Sequence, residues 1–335
     1  MNTISRPFHV EATRGDRRET VHEVHAVLCD ADKHILGRFG DPSLETYERS
    51  VAKPIQLLTA IQHRPSLLDE CSKEEIAVMA SSHSGEPGHV ETLYGLLNRY
   101  GLDESLLLCG THPAVRPEIG LEFARQDIGP KPIHHNCSGK HVGMLLACQA
   151  QGWPFETYNR PDHPMQVAIR LNMAKYAGLD KEDVLYGPDG CGVPSWWLDL
   201  RSIAVTSARY ADPSFGDDFE KRIRDRIFTA YHEASWYASG TDRIDNDFNK
   251  ESDGLWLAKG GGEAVFGVGF KDRAIGLSLK VLDGRYEAVP VALLHIVKEW
   301  DLISSDQLQR LSGWVKVVRK NAPGWEIGFF RIAEK

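Results

Sequence analysis

Residues 254–282 carry three short apolar runs, LWLA, AVFGVGF and AIGLSLKV, broken by glycines and by Lys271-Asp272-Arg273. Runs this short, bounded by turn residues, predict an antiparallel meander that has to be covered on at least one face. The covering material lies upstream. From Ser50 the periodicity becomes helical, with Ile55, Leu58, Ala60 and Ile61 roughly on one face, and further helices are predicted at residues 89–100, 141–150 and 165–177. From Val21, the runs VHEVHAVLCD and HILGRF form a predicted hairpin about Ala31-Asp32-Lys33. Residues 214–238 are charged and amphipathic, and residues 289–300 return to helix. The order strands, helices, strands, helix gives the fold class α/β, an α+β sandwich of an antiparallel sheet covered by helices. No repeat, low-complexity block or linker interrupts the chain, so residues 1–335 are expected to form a single domain with a helix-rich subregion at about 50–240.

Apolar residues are 42% and charged residues 26% of the 335, which is globular composition and excludes a disordered or coiled-coil chain. The net charge of −8 argues against a surface built to neutralise phosphates, so nucleic acid is not an expected partner. No stretch reaches the roughly eighteen consecutive apolar residues of a membrane helix, and residues 1–20 show no apolar secretory segment. No membrane partner and a cytoplasmic location are expected. The six cysteines never form a C-x-x-C pair, which excludes a disulfide framework and a zinc finger; Cys29, Cys71, Cys109 and Cys148 are expected to be packing residues.

Catalytic chemistry is suggested first at Arg49-Ser50-Val51-Ala52-Lys53-Pro54. A serine and a lysine three apart lie on one face of a helical turn, where an amine with a depressed pKa removes the hydroxyl proton. Pro54 disfavours helix before it, so the helix is expected to start there with Ser50 in the preceding turn, near free N–H groups suited to an oxyanion. An isolated S-x-x-K match is more often a capping serine and a solvated lysine. Two companions add weight: the hydroxyl-rich loop Ser81-Ser82-His83-Ser84-Gly85-Glu86, and Lys259-Gly260-Gly261-Gly262-Glu263, where a lysine follows an apolar strand and glycines admit close backbone approach. This order is similar to that of serine β-lactamases and penicillin-binding proteins, with Gly260 where those enzymes have a hydroxyl residue.

A second cluster spans His134-His135-Asn136-Cys137-Ser138-Gly139-Lys140-His141 and the glycine-flanked turn Asp189-Gly190-Cys191-Gly192, expected to expose its cysteine. Of the neighbouring His134 and His135, at most one is expected to face a site. Trp196, Trp197 and Trp256 are expected in the core or an interface, and residues 217–220 as a solvated helix start.

Taken together, RSVAKPIQ, SSHSGE, NCSGKHVGML, DGCGVP and KGGGEAVF, in that order over residues 20–330, resemble the rhizobial-type L-asparaginases, the asparaginase II family. The resemblance implies a serine-β-lactamase-like fold, a homodimer, and hydrolysis of L-asparagine to L-aspartate and ammonia. Carried over by position, it implies Ser50 as nucleophile with Lys53, and Ser82 as relay serine with Lys259, chosen over Lys271 and Lys280. It implies Cys137, Lys140 and Cys191 as ligands of one zinc ion that supports substrate binding and is not strictly essential. Arg49, His83, Asn136 and Asp189 are candidates for holding the substrate's charged α-groups. The chain departs from the family's usual K-x-G-A-E-G at Gly262 and Ala264, and Asp245 stands where a cysteine often follows the arginine here numbered Arg243. These changes bear on the pocket wall and on activity toward glutamine. The alternatives are a β-lactamase-like serine esterase or peptidase, zinc as the catalyst with the serines as bystanders, and a zinc- or amino-acid-binding module without catalysis.

Overall fold

The computed structural model describes residues 3–127 and 129–333. Its strands are β1 (Thr3–Ile4), β2 (Phe8–Arg14), β3 (Arg17–Asp30), β4 (Ile35–Phe39), β5 (Glu45–Tyr47), β6 (Leu185–Pro188), β7 (Pro194–Asp199), β8 (Trp256–Gly261), β9 (Val265–Phe270), β10 (Ile275–Val281), β11 (Val317–Lys320) and β12 (Glu326–Ile332). The chain divides into two compact units. One comprises the residues up to Val51, Leu198–Asp212 and those from Ala258 onward; the other comprises Ala52–Trp197 and Pro213–Leu257.

The first unit is built on a sheet of order β11-β12-β2-β3-β10-β9-β8, with β4 beside β3 and β1 beside β4. The fourteen residues of β3 pair with β2 along its first part and with β4 near its end, while β10 runs antiparallel to it from Val24 to Asp30. The predicted hairpin and meander are both present, the latter turning between Phe270 and Ile275. The short β1–β4 pair is parallel, whereas β2–β3, β3–β4, β3–β10, β9–β10, β2–β12 and β11–β12 are antiparallel.

Helices cover both faces. The helix Leu200–Ala211 lies so close to one face that a Cβ on Gly276 would stand 2.0 Å from the Ala204 carbonyl oxygen, and one on Gly269 would stand 2.5 Å from that of Ser207. Ser278 Oγ donates to the Leu200 carbonyl at 2.6 Å on the same side. Side chains alternate along a strand, so Leu277 and Leu279 turn to the other face. There the Phe8 ring meets His295 of the helix Val289–Glu299 at 4.8 Å, and Phe39 stacks on Trp300 at 5.1 Å. Coverage of both faces is why β10 is buried throughout and reads as a continuous apolar run.

Several elements lay outside the sequence reading: β2, the first part of β3, the helix Leu200–Ala211, and β11 with β12. The β2–β3 hairpin is stitched by ion pairs, with Arg18 and Arg331 each bonded to the buried Glu11 at 2.6 and 2.8 Å. Cross-strand charge pairs of this kind carry no apolar alternation for a sequence pattern to detect.

The second unit is helical. Lys53–His63, Pro87–Arg99, Ser138–Gln151, Pro164–Ala177 and Asp218–Glu233 lie where helical periodicity placed them, joined by Lys73–Met79, which starts with a capping box of Ser72 and Glu75. Helix Ser138–Gln151 crosses Lys73–Met79 through Gly139, where a Cβ would sit 2.0 Å from the Val78 carbonyl oxygen. Residues 217–220 do start a helix, but Glu220 is buried and takes the Lys175 amine at 2.6 Å, so this start is not merely solvated. Trp196 and Trp256 are buried. Among the described residues no helix is long and apolar enough to cross a membrane.

Gly276→Ala is expected to destabilise the protein by about 1–3 kcal/mol through overpacking against the helix backbone. Gly95→Ala, inside Pro87–Arg99 with open space about its Cα, is expected to stabilise by about 0.5–1 kcal/mol. Midpoints of urea unfolding measured at unchanged slope check both.

Candidate active site

In the second unit the SSHSGE loop leaves the end of helix Lys73–Met79 and runs without regular structure to Glu86, the residue before helix Pro87–Arg99. Its backbone is fixed by neighbours. Tyr231 Oη donates to the Ala80 carbonyl at 2.6 Å, Ser82 N to that of Ala238 at 3.3 Å, and Ser84 Oγ to that of Ser239 at 3.0 Å. The close crossing at Gly139 brings residues 136–140 alongside.

Lys53, the first residue of its helix, reaches into this loop and is completely buried. Its amine donates to Ser82 Oγ at 2.9 Å, to the Ser81 carbonyl, and to the Asn136 carbonyl at 3.5 Å. Burial lowers its pKa, as does the nearby Lys140, while the Cys137 and Cys191 sulfurs oppose the shift. The arrangement has a direct chemical reading. Two of the three partners are carbonyls, which only accept. When the amine is neutral, its two N–H groups can serve those carbonyls and its lone pair is left for the Ser82 hydroxyl, the one partner able to donate.

One amine within hydrogen-bond reach of Ser82 is that of Lys53. Lys259 is buried on β8 in the first unit, where its Nζ donates to the Gly260 carbonyl at 2.6 Å, and Lys280 Nζ donates to the carbonyls of Glu263 and Val281. Ser50 lies in the same unit, in a 3-10 turn Arg49–Ala52 that precedes the Lys53 helix. The turn seats on the end of β8 because two glycines there have no side chains. A Cβ on Gly261 would lie 2.9 Å from the Glu48 carbonyl oxygen, and one on Gly262 would lie 3.1 Å from the Arg49 guanidinium carbon. Arg49 is in the left-handed region at φ 53°, as are Glu263 and Ala264 beside it at 57° and 56°. Backbone strain of this kind collects at functional sites.

The second cluster is also assembled in the helical unit. The β6–β7 hairpin pairs Pro188 with Pro194, and its tip carries Asp189 and Cys191, with Gly192 at φ 85° completing the turn. The tip turns Cys191 inward, so this cysteine is buried and not exposed as its glycine-flanked setting suggested. Cys137 Sγ, Cys191 Sγ and an Asp189 carboxylate oxygen all lie within 4.8 Å of one another. Lys140 Nζ is 3.4 Å from Asp189 Oδ2, and Cys191 Sγ is 3.3 Å from the same oxygen. The hydrogen bond from Cys191, with the Lys53 and Lys140 charges, holds the Cys137 thiol well below its ordinary value against the effect of burial, while the Cys191 thiol is raised. Burial disfavours the Lys140 ammonium, but the two sulfurs and Asp189 outweigh it and keep the amine protonated.

The other cysteines contrast with these. Burial pushes Cys29, Cys109 and Cys148 up to about 12 and Cys71 to about 11, as expected of packing thiols. Two sulfurs and a carboxylate oxygen converging in a buried pocket are a donor set that suits zinc.

The sequence matches the L-asparaginase II family over residues 10–332. The chain belongs to that family. No curated protein matches it. Among solved structures it is similar to Mglu in its native form, at 13% identity and a TM-score of 0.40, covering 84% of this chain and 66% of Mglu. A β-lactamase from Mycobacterium bovis matches at 13% identity and a TM-score of 0.40, with 83% and 94% of the two chains covered. A Bacillus glutaminase matches at 13% and 0.37, with 83% and 91% covered. Overlaps this loose describe a distant likeness of fold and carry nothing about the site.

Within this asparaginase II chain, the helical unit gathers Lys53, Ser82, His83, Asn136, Cys137, Lys140, Asp189 and Cys191, and the sheet unit holds Arg49, Ser50 and Lys259. His83 is fully buried. Its Nδ1 accepts the Gly85 N–H at 3.0 Å and its Nε2 donates to Ser138 Oγ at 2.8 Å, since that hydroxyl spends its own proton on the Ile133 carbonyl. Of the two adjacent histidines, His135 accepts the Cys137 N–H on Nδ1, while His134 caps its own turn at Lys131 N and lies 4.5 Å from the Phe123 ring. Sequence reasoning singled out neither Ser138 nor His112; Asp189, named there as a substrate candidate within the Cys191 turn, has its carboxylate beside the two sulfurs. Lys140 and Asp189 are 49 positions apart, so only folding reveals their pairing.

Ser138→Ala leaves the His83 N–H buried without an acceptor, and is expected to cost about 1–3 kcal/mol. A lowered urea midpoint, with the helix content of the native protein kept, checks it.

Proposed function

We propose that this chain hydrolyses L-asparagine to L-aspartate and ammonia through a serine acyl-enzyme. Family membership makes it an asparaginase-type amidohydrolase. The substrate and the serine–lysine mechanism are our reading, and the observation that supports them is the completely buried Lys53 amine, its pKa lowered by burial, at the start of the helix that follows the Ser50 turn.

In this mechanism neutral Lys53 takes the Ser50 proton as Ser50 Oγ bonds to the side-chain carboxamide carbon, giving a tetrahedral oxyanion. The C–N bond then breaks, and Ser82, working with Lys259, passes a proton to the departing nitrogen, a general-acid contribution of about a hundred- to ten-thousandfold. Water hydrolyses the ester and returns Ser50. Arg49 would pair with the α-carboxylate, and Asn136 and Asp189 with the α-ammonium, so that an unpaired analogue is rejected. His83, with both ring nitrogens occupied, would serve the substrate by shaping the loop that carries Ser82.

A second reading is favoured by the Lys53–Ser82 bond itself: Ser82 as the acylated serine, activated by Lys53. Quenching turnover and locating the acyl group by peptide mass spectrometry separates the two. The expected result is an adduct on Ser50 and near-complete loss of ammonia release in Ser50→Ala. An adduct on Ser82, with Ser50→Ala still active, favours the second reading. Hydrolysis of a chromogenic β-lactam or ester in place of asparagine would point to the esterase or peptidase class. A heat-stability shift by asparagine without ammonia would point to a binding module.

Cys137, Lys140 and Cys191 would hold one zinc ion, Lys140 binding as the neutral amine beside the Asp189 carboxylate 3.4 Å away. When bound, the ion supplies a Lewis acid that orients and polarises a polar group of the substrate. Asp189→Asn is expected to lower zinc affinity about 10–100-fold, checked by metal titration. Excess chelator is expected to raise KM while turnover persists at saturating asparagine; complete loss of turnover would make the metal the catalyst. A cytoplasmic homodimer belongs to the same proposal, and light scattering of the purified protein tests the dimer.

A further inference from the structure

The first part of β3 carries a hydroxyl and an imidazole that the loop after β10 completes with a carboxylate. Thr20 and His22 are two apart on the strand, so both side chains lie on one face. Thr20 Oγ1 is 2.9 Å from His22 Nε2, and His22 Nδ1 is 2.7 Å from Asp283 Oδ2. Asp283 arrives there because β10 runs antiparallel to β3: Val281 pairs with Val24, the Leu282 N–H donates to the Glu23 carbonyl at 2.9 Å, and the next residue falls beside His22. Its second oxygen, Oδ1, accepts the Arg285 N–H at 3.1 Å, which fixes the carboxylate from the other side. Burial works against the Asp283 carboxylate, but the bonds from His22 and the Arg285 N–H outweigh it and hold its pKa below the ordinary value. A carboxylate only accepts, so a neutral imidazole here has its proton on Nδ1 and its Nε2 lone pair toward the Thr20 hydroxyl. Exposure falls along the line. Thr20 is open to solvent, while His22 is only 5% exposed, with the Phe330 ring 5.6 Å from its own. The base is thus sheltered and the hydroxyl accessible.

We propose that Thr20 is a second nucleophile of this protein, outside the asparagine site, which accepts the acyl group of an activated ester, with His22 as its base and Asp283 as the group that orients the imidazole. A nucleophile, a base within hydrogen-bond reach and a third group orienting the base are the parts that such acyl transfer needs. Thr20 Oγ1 bonds to the acyl carbon as its proton passes to His22 Nε2. The bond from that carbon to the ester oxygen then breaks, and the departing oxygen takes the proton from the imidazole, leaving a threonyl ester and a free alcohol. The same three side chains tie the β2–β3 hairpin to the loop after β10, and reactivity at Thr20 is what separates a nucleophile from a tie. Ser50, Lys53 and the sulfur cluster take no part, so the site stands whether or not the chain hydrolyses asparagine.

The test exposes the full chain, carrying Ser50→Ala to remove the proposed acyl acceptor of the asparagine reaction, to p-nitrophenyl acetate at about pH 8, where imidazoles of ordinary pKa are uncharged. Peptide mass spectrometry then locates and times the acetyl group. Expected is acetylation of Thr20 with release of about one p-nitrophenolate per chain, absent at that peptide in Thr20→Val. Loss of the base in His22→Gln is expected to slow acetylation of Thr20 about a hundredfold or more. Asp283→Asn, in an exposed loop where folding is least at risk, is expected to slow it at least about tenfold by freeing the imidazole to turn or take the other tautomer. Urea midpoints show that each variant is folded. No acetyl on Thr20, acetyl on lysines or on His22 in its place, or an unchanged rate at Thr20 in folded His22→Gln or Asp283→Asn overturns the proposal and leaves the three side chains a structural tie.

Discussion

A lysine amine removed completely from water needs an acceptor for each of its protons, and the helical unit is arranged around meeting that need for Lys53. Its hydrogen-bond partners come from two segments that share no secondary structure with it, the loop at Ser81 and Ser82 and the turn at Asn136. Those segments meet only because Gly139 lets one helix lie against the last carbonyls of another. A methyl group at that position would part them. The same contact that packs the unit thus sets the geometry of an acid–base pair.

Charge balance links this amine to the sulfur cluster. Lys53 and Lys140 are buried ammonium or amine groups set close to two thiols and Asp189, and each depends on the others for its protonation state. A buried cation opposite a thiolate and a carboxylate is stable as a set, whereas removing one member leaves its partners uncompensated. A metal bound by the sulfurs would take over part of the positive charge that Lys140 now supplies. In the proposed mechanism, metal binding by the sulfurs would therefore be coupled to the protonation of Lys53 through ordinary electrostatics over a few side chains.

The sheet unit contributes by a different route. Its sheet is packed on both faces, and the helix Leu200–Ala211 touches backbone at Gly269 and Gly276. Gly261 at the end of β8 and Gly262 just after it give the Arg49–Ala52 turn room to rest against the strand, and Lys259 lies two residues before Gly261. Glycines that look like gaps in an apolar pattern are therefore the contact surfaces.

Local pattern was enough to place the meander, the hairpin after Val21 and the helices of the second unit, because apolar periodicity is a property of neighbouring residues. The resemblance of short ordered motifs to a known family, and not local pattern, singled out Ser50, Lys53, Ser82, Cys137, Lys140 and Cys191. Local pattern did not reveal β2, β11 or β12, whose pairing rests partly on charges such as Glu11 with Arg18 and Arg331 from distant strands. Nor did it reveal that Ser82 bonds Lys53, that Asp189 pairs with Lys140, or that His112 accepts the Asn136 N–H. Those facts depend on side-chain direction and burial across 29, 49 and 24 positions of chain, quantities set by how helices and hairpins pack, which no run of adjacent residues encodes.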